Sequence, residues 1–166
     1  MTGDAPARIH GWTVYAHPLC LEQLDELERR VADLKARKPL EYRQKNPTKR
    51  LAAIHRLAFD LIPEDPTRPE YRLGDTLGAE RKHWFRAKYF QQYRLFFRFS
   101  SKEKVIVLAW VDDERSKRAY GAKRDAYRTF RTMLDAGDPP DDWDALMREA
   151  ARATRRAEGR GNDPDD

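Results

Sequence analysis

The chain has 166 residues, with 33 Lys and Arg against 28 Asp and Glu and a single cysteine, Cys20. That length suits one domain able to bury its own core. One cysteine excludes an internal disulfide or a cysteine zinc cage. No window is apolar for long enough to span a bilayer, and Met1 is not followed by a basic and then apolar leader, so the protein is expected in the cytoplasm and away from membranes. The net charge of +5 is modest but uneven: between Arg81 and Arg131 stand 15 basic and 5 acidic residues, an excess of +10, while the chain from Asp138 onward is acidic or mixed. Such a patch most often meets a nucleic acid.

In chain order, residues 1–8 carry no apolar pattern and are expected to be a disordered tail, as are 154–166, leaving a single domain over 9–153. WTVYA (12–16) is a short strand of β-branched and aromatic residues. His17-Pro18 then opens a helix, because proline suits its first turn. Leu24, Leu27, Val31 and Leu34 line one face of that helix, which extends to Lys38 before Pro39. Asn46-Pro47 starts a second helix with Leu51, Ile54, Ala58, Leu61 and Ile62 inward, ending before Pro63. PEDPTRP (63–69) is a rigid connector. Three strands follow over about 83–89, 93–100 and 105–111, an antiparallel meander with SKEK (101–104) as a turn. A helix then places Ala126, Tyr127, Phe130 and Leu134 on one side with Gly137 as its C-terminal cap, and a last helix turns Trp143, Leu146, Met147 and Ala150 inward. The fold class is α+β: strand, two helices, three-stranded antiparallel meander, C-terminal helices.

The meander carries an unusual charge pattern. Alternation puts Phe85, Ala87 and Tyr89 on one face and Trp84, Arg86 and Lys88 on the other, and likewise splits Leu95, Phe97 and Phe99 from Arg94, Phe96 and Arg98. For both apolar sets to share one core, Lys88 must face Arg94, which requires an odd connection such as Phe90–Gln91–Gln92. Like charges directly opposite are destabilising, so a phosphate or an acidic partner segment should compensate them. Any single cation here is explained by a solvated outer face. The set, with Trp84 and Phe96 on the same face, supplies the stacking and charge that single-stranded RNA binding needs.

Other chemistry competes poorly. P-loop, GxGxxG, HExxH and GxSxG motifs are absent. Asp112, Asp113 and Glu114 could ligate Mg²⁺, but acidic residues after a strand more often form a turn or cap. His10, His17 and His55 sit on separate elements, and His83, beside Trp84, is the one histidine placed to act as acid or base.

Together GWTVYAHP (11–18), YRLFFRFS (93–100), KEKVIVLAWV (102–111), Asp113-Glu114, RAYG (118–121), DAY (125–127) and GDPPDDW (137–143) resemble the YhaV toxin family, within the RelE/ParE-like superfamily of toxin–antitoxin systems, over about residues 9–150. The resemblance implies a RelE-like fold and a metal-independent, cofactor-free endoribonuclease that cleaves mRNA, on or off the ribosome. The 2′-hydroxyl would attack the adjacent phosphate among basic residues. It places the family's two strand lysines on Arg86 and Lys88, its strand arginine on Arg94, its C-terminal tyrosine on Tyr120, and its arginine after the last strand on Arg115 with a one-residue shift, Glu114 holding the unshifted place. Lys88 would be general base, Arg94 and Arg86 would stabilise the pentavalent phosphate, and Tyr120 would orient a nucleotide. Arg98 and Arg115 would hold flanking phosphates or protonate the leaving oxygen. Arg98, Trp84, Phe96, Lys117, Arg118 and His83 complete the RNA-binding set. The implied partners are a PrlF-type, AbrB-like antitoxin and, through the complex, operator DNA. A non-catalytic nucleic-acid-binding co-repressor or ParE-like inhibitor is the rival from another class, and a purely structural partner protein a third reading.

Overall fold

The computed structural model describes residues 6–112 and 125–161, with side chains as far as residue 153. Its centre is a five-stranded sheet in the order β1-β2-β5-β4-β3, built from β1 (Ala7–Ile9), β2 (Trp12–Ala16), β3 (Phe85–Tyr89), β4 (Tyr93–Ser100) and β5 (Val105–Asp112). β3, β4 and β5 form the expected antiparallel meander, and β2 joins β5 in parallel, its pairing running from Thr13–Val105 to Ala16–Leu108.

Helix α1 (Pro18–Arg37) starts where His17 Nδ1 accepts the Leu19 N–H and Pro18 needs no donor. His17 is itself buried, and its Nε2 meets Glu149 Oε2 at 3.2 Å, joining the start of α1 to the last helix. Only Leu24 and Leu27 of the predicted stripe are fully buried; beyond them α1 leaves the sheet, with Val31 and Leu34 half-buried. Helix α2 (Asn46–Arg56) does not end before Pro63. It widens into a π turn over Leu57–Leu61, where the Ile62 N–H reaches back to the Leu57 carbonyl, and a last helical turn covers Ile62–Glu64. The wider π turn before Pro63 accommodates a residue that has no N–H to return to the preceding turn.

Cys20, Leu24, Leu27, Ile54, Ala58 and Ile62 pack on one sheet face against Val14, Leu95, Phe97, Ile106 and Leu108. Burial there pushes the Cys20 thiol up to about 12, so it behaves as a small apolar side chain. The opposite face is covered by α3 (Ala126–Asp135) and α4 (Trp143–Gly161), through Phe130, Leu134, Leu146 and Ala150. Helix α3 is capped at its start by Asp125, whose Oδ1 accepts the Tyr127 N–H. At its end the Gly137 and Asp138 N–H groups return to the Leu134 and Met133 carbonyls, with Gly137 at φ +82°, as predicted for the cap.

Regular structure extends past the expected bounds at both ends. Residues 7–9 form β1, which turns into β2 through His10-Gly11, both at positive φ (52° and 84°), the geometry of a two-residue hairpin. At the other end α4 continues to Gly161, past the expected boundary at 153. β3 begins at Phe85 rather than 83, because the chain arrives from a 3₁₀ turn (Ala79–Arg81) whose Arg81 carbonyl accepts the Trp84 N–H. Among the described residues no helix is long and apolar enough to cross a membrane.

Candidate active site

The β3–β4 hairpin closes at the Tyr89–Tyr93 pair through Phe90–Gln91–Gln92, the odd connection that the alternation demands, with Phe90 and Gln91 at φ 49° and 62°. Lys88 therefore lies directly opposite Arg94, and Arg94 opposite Asp112 on β5. The three form one row across the strand ends. A bulge between Phe96 and Phe97, where β5 passes Ala109 without a partner, adds local bend beside this row.

Like charges so placed need compensation, and two groups supply it. Asp112, 2% exposed, puts Oδ2 3.9 Å from Arg94 Nη1. Tyr127, from the first turn of α3, puts its phenol oxygen between the two arginines, accepting from Arg86 Nε at 2.6 Å and Arg94 Nε at 3.0 Å. Both guanidiniums also lie over its ring, 5.7 and 5.1 Å from the centroid. Burial acts to raise the Tyr127 hydroxyl, but the arginine donors and their charge overcome it and hold the hydroxyl below its ordinary value. Arg86 Nη1 donates to the Glu70 carbonyl and Arg94 Nη1 to the Gln92 carbonyl. Among the described residues neither Nη2 has a partner. Lys88 is exposed and its Nζ is likewise without a described partner. Two fixed guanidinium edges and one ammonium at a strand end are what a phosphate diester would bind.

The remaining predicted residues fall elsewhere. Trp84 and Phe96 are 0% exposed and belong to the second core: Phe96 stacks on Phe130 at 4.3 Å, and Trp84 meets the same ring edge-on at 5.1 Å. Neither is available to stack a base, because the face they share with the cations is closed by α3. Arg98 and His83 are drawn to Asp141. The Asp141 Oδ1 accepts from Trp84 Nε1 at 2.7 Å and meets His83 Nε2 at 2.8 Å, while its carbonyl accepts from Arg98 Nη1 at 2.6 Å. Arg98 is further enclosed by the rings of Trp84 and Trp143, at 5.4 and 5.1 Å. Arg98 thus ties the loop before α4 to the sheet, and His83 is paired with Asp141. Arg115, Lys117, Arg118 and Tyr120 lie outside the described residues, as do Asp113 and Glu114. Among the described residues no group of three or more His, Cys, Asp or Glu could hold a metal ion. His10 lies in the β1–β2 turn, and His55 packs edge-on against Phe59.

The Asp141 cluster makes an acid-stability prediction. Burial acts to raise this carboxyl, but the Trp84 and His83 donors and the nearby charges hold it below the ordinary carboxylate range. A lowered folded value contributes stability in full above about pH 4 and loses it as pH falls through the folded value. Asp141→Asn is expected to flatten the loss of stability below about pH 4, measured as the denaturant midpoint across acid pH; an unchanged acid limb would contradict it.

Residues 14–151 match the family model described as a toxin with endonuclease activity, of a toxin–antitoxin system. The chain belongs to this YhaV toxin family. It is 46% identical over 148 residues to the ribonuclease toxin YhaV of Escherichia coli strain K12, covering 88% of this chain and 96% of that protein. The toxin YhaV of strain O157:H7 is 46% identical, and that of strain O6:H1 45%, over the same shares. No solved structure gives a significant match. As a YhaV-family chain the protein is an endonuclease toxin of a toxin–antitoxin system, and its α+β fold agrees with that membership. Sequence reasoning missed Tyr127 at this site because it stands in the apolar stripe of α3; the sign was its position within DAY (125–127), where the ring joins the core and the hydroxyl reaches past it.

Proposed function

We propose that this toxin is a metal-independent endoribonuclease whose reacting phosphate is held by Arg86 and Arg94. The observation that carries this reading is the pair of Nε donors on the one Tyr127 oxygen, which fixes two guanidiniums on the strand pair where Lys88 stands opposite Arg94. In the reaction Lys88 takes the proton of the substrate 2′-hydroxyl. That oxygen attacks the adjacent phosphorus, and the bond to the 5′-oxygen breaks, leaving a 2′,3′-cyclic phosphate and a 5′-hydroxyl. Arg94 and Arg86 meet the extra negative charge of the pentavalent phosphate. Arg98 is withdrawn from the acid role, since it is held by Asp141 and two tryptophans. Protonation of the leaving oxygen falls to Arg115 or to water, and Tyr120 keeps the nucleotide-orienting role.

The same cations would be neutralised by an acidic segment of the antitoxin. The similarity to YhaV toxins supports a PrlF-type, AbrB-like partner, repression of the operon by the complex at operator DNA, and mRNA as substrate in the cytoplasm. Purified protein is expected to cleave RNA at the same rate with and without EDTA; loss of cleavage in EDTA would sink the metal-independent mechanism. A parallel reaction with ribosomes decides whether cleavage needs them.

A further inference from the structure

β3 is an edge strand, and its outer side opens on a groove of about 430 Å³ that includes the Arg86 and Lys88 side chains in its wall. The groove therefore continues from the proposed phosphate site around the sheet edge. Its floor is apolar: Leu57 and Leu61 from the π turn of α2, and Tyr71, whose ring is fixed edge-on against Phe97 at 5.5 Å. Its far rim is polar. Arg68 Nη1 lies 3.9 Å from Glu70 Oε1, and Arg68 Nη2 is 3.3 Å from Glu64 Oε1, so guanidinium and carboxylate stand side by side at the rim. Glu70 is also joined to the reacting centre, because its carbonyl accepts from Arg86 Nη1.

A pure phosphate site would need cations alone, and an apolar peptide would have no use for them. An apolar lining, flanking cations and a paired donor and acceptor at the rim together suit a nucleotide: the base would lie on carbon, its edge would meet Arg68 and Glu70, and its phosphate Arg86 and Lys88. Three cations, Arg68, Arg86 and Lys88, stand against two carboxylates, Glu64 and Glu70, and since both carboxylates pair with Arg68 the surplus charge lies at Arg86 and Lys88, where a nucleotide's phosphate would sit. We propose that the groove receives the nucleobase next to the cleaved phosphate, and that Arg68 and Glu70 select it. This rests on the ribonuclease reading above.

The test maps cleavage ends on a random-sequence RNA pool for the full chain and for Glu70→Ala, Arg68→Ala and Leu61→Trp. The unmodified protein is expected to discriminate among bases at one position flanking the cut by about tenfold, the scale of a good edge contact. Glu70→Ala and Arg68→Ala should flatten that position alone to under about twofold. With a substrate lacking the base there, KM should rise about tenfold for the unmodified protein and under about twofold for Leu61→Trp, whose ring already fills the groove. Thermal melts of each variant guard against misfolding, and Glu70→Ala, on a side chain 68% exposed, is the safest of the three. Unchanged base preference in Glu70→Ala and Arg68→Ala overturns the proposal, as does an effect confined to antitoxin affinity. Failure of the unmodified protein to cleave any RNA would instead bring down the ribonuclease reading itself, and the groove assignment with it.

Discussion

Arg94→Ala is expected to abolish growth arrest and to lower RNA cleavage by about a hundredfold to a thousandfold, the cost of removing one preorganised donor from a developing oxyanion. Arg94 is the hinge of the row: it faces Lys88 on one side and Asp112 on the other, and shares Tyr127 with Arg86. Because Asp112 is buried beside it, the alanine variant also loses the charge opposite a carboxylate, so some stability is lost too. Arg94→Lys separates the two effects. It restores the positive charge but cannot offer Nε to Tyr127 and an Nη edge to phosphate at once. The lysine variant should melt near the parent temperature and still cleave about a hundredfold more slowly. Full toxicity in either variant would remove Arg94 from the reaction. Tyr127→Phe keeps the ring that meets Phe96 edge-on at 6.0 Å and deletes only the shared acceptor. Its expected mark is a lower kcat with KM little changed, since the guanidiniums remain but are no longer aimed.

Phe96→Ala should act through stability. The ring is fully buried, stacked on Phe130 at 4.3 Å and on Trp110 at 5.7 Å, so truncation opens a cavity between sheet and α3 worth about 3–5 kcal/mol. That is a large part of the stability of an ordinary domain. The variant is expected to unfold at much lower denaturant, measured by equilibrium denaturation. A base-stacking Phe96 would give the opposite pattern, with an unmoved midpoint and weakened RNA binding.

The two outcomes mark what the residues could and could not disclose. Strand alternation and the apolar requirement of the core were enough to place Lys88 opposite Arg94, because a one-residue slip would have turned Leu95 and Phe97 to the wrong face. The same alternation grouped Trp84 and Phe96 with the cations but could not say how far along that face a covering helix would reach. Among the described residues α3 and α4 close most of it and stop short of the strand ends, a matter of tertiary packing that no period in β3 or β4 encodes. β1 escaped notice because three residues hold too little pattern, and the π turn because Pro63 looks like a helix stop until an extra residue is accommodated before it. Asp141 lay in plain view within GDPPDDW, yet its partners His83, Trp84 and Arg98 are more than forty residues away in the chain.

Helices on both sides of the sheet have a further consequence for the shape of the substrate. With Cys20, Leu24 and Ile54 against one face and Phe130 and Leu146 against the other, the strands offer no broad open surface among the described residues on which a duplex could lie. The phosphate-seeking groups gather at one corner, where the ends of β3, β4 and β5 meet the start of α3. A chain read at a corner must bend around it, and paired RNA is too stiff and too wide to do so. On the ribonuclease reading proposed here, unpaired RNA, whose backbone turns freely between successive nucleotides, is the form that such a corner would take.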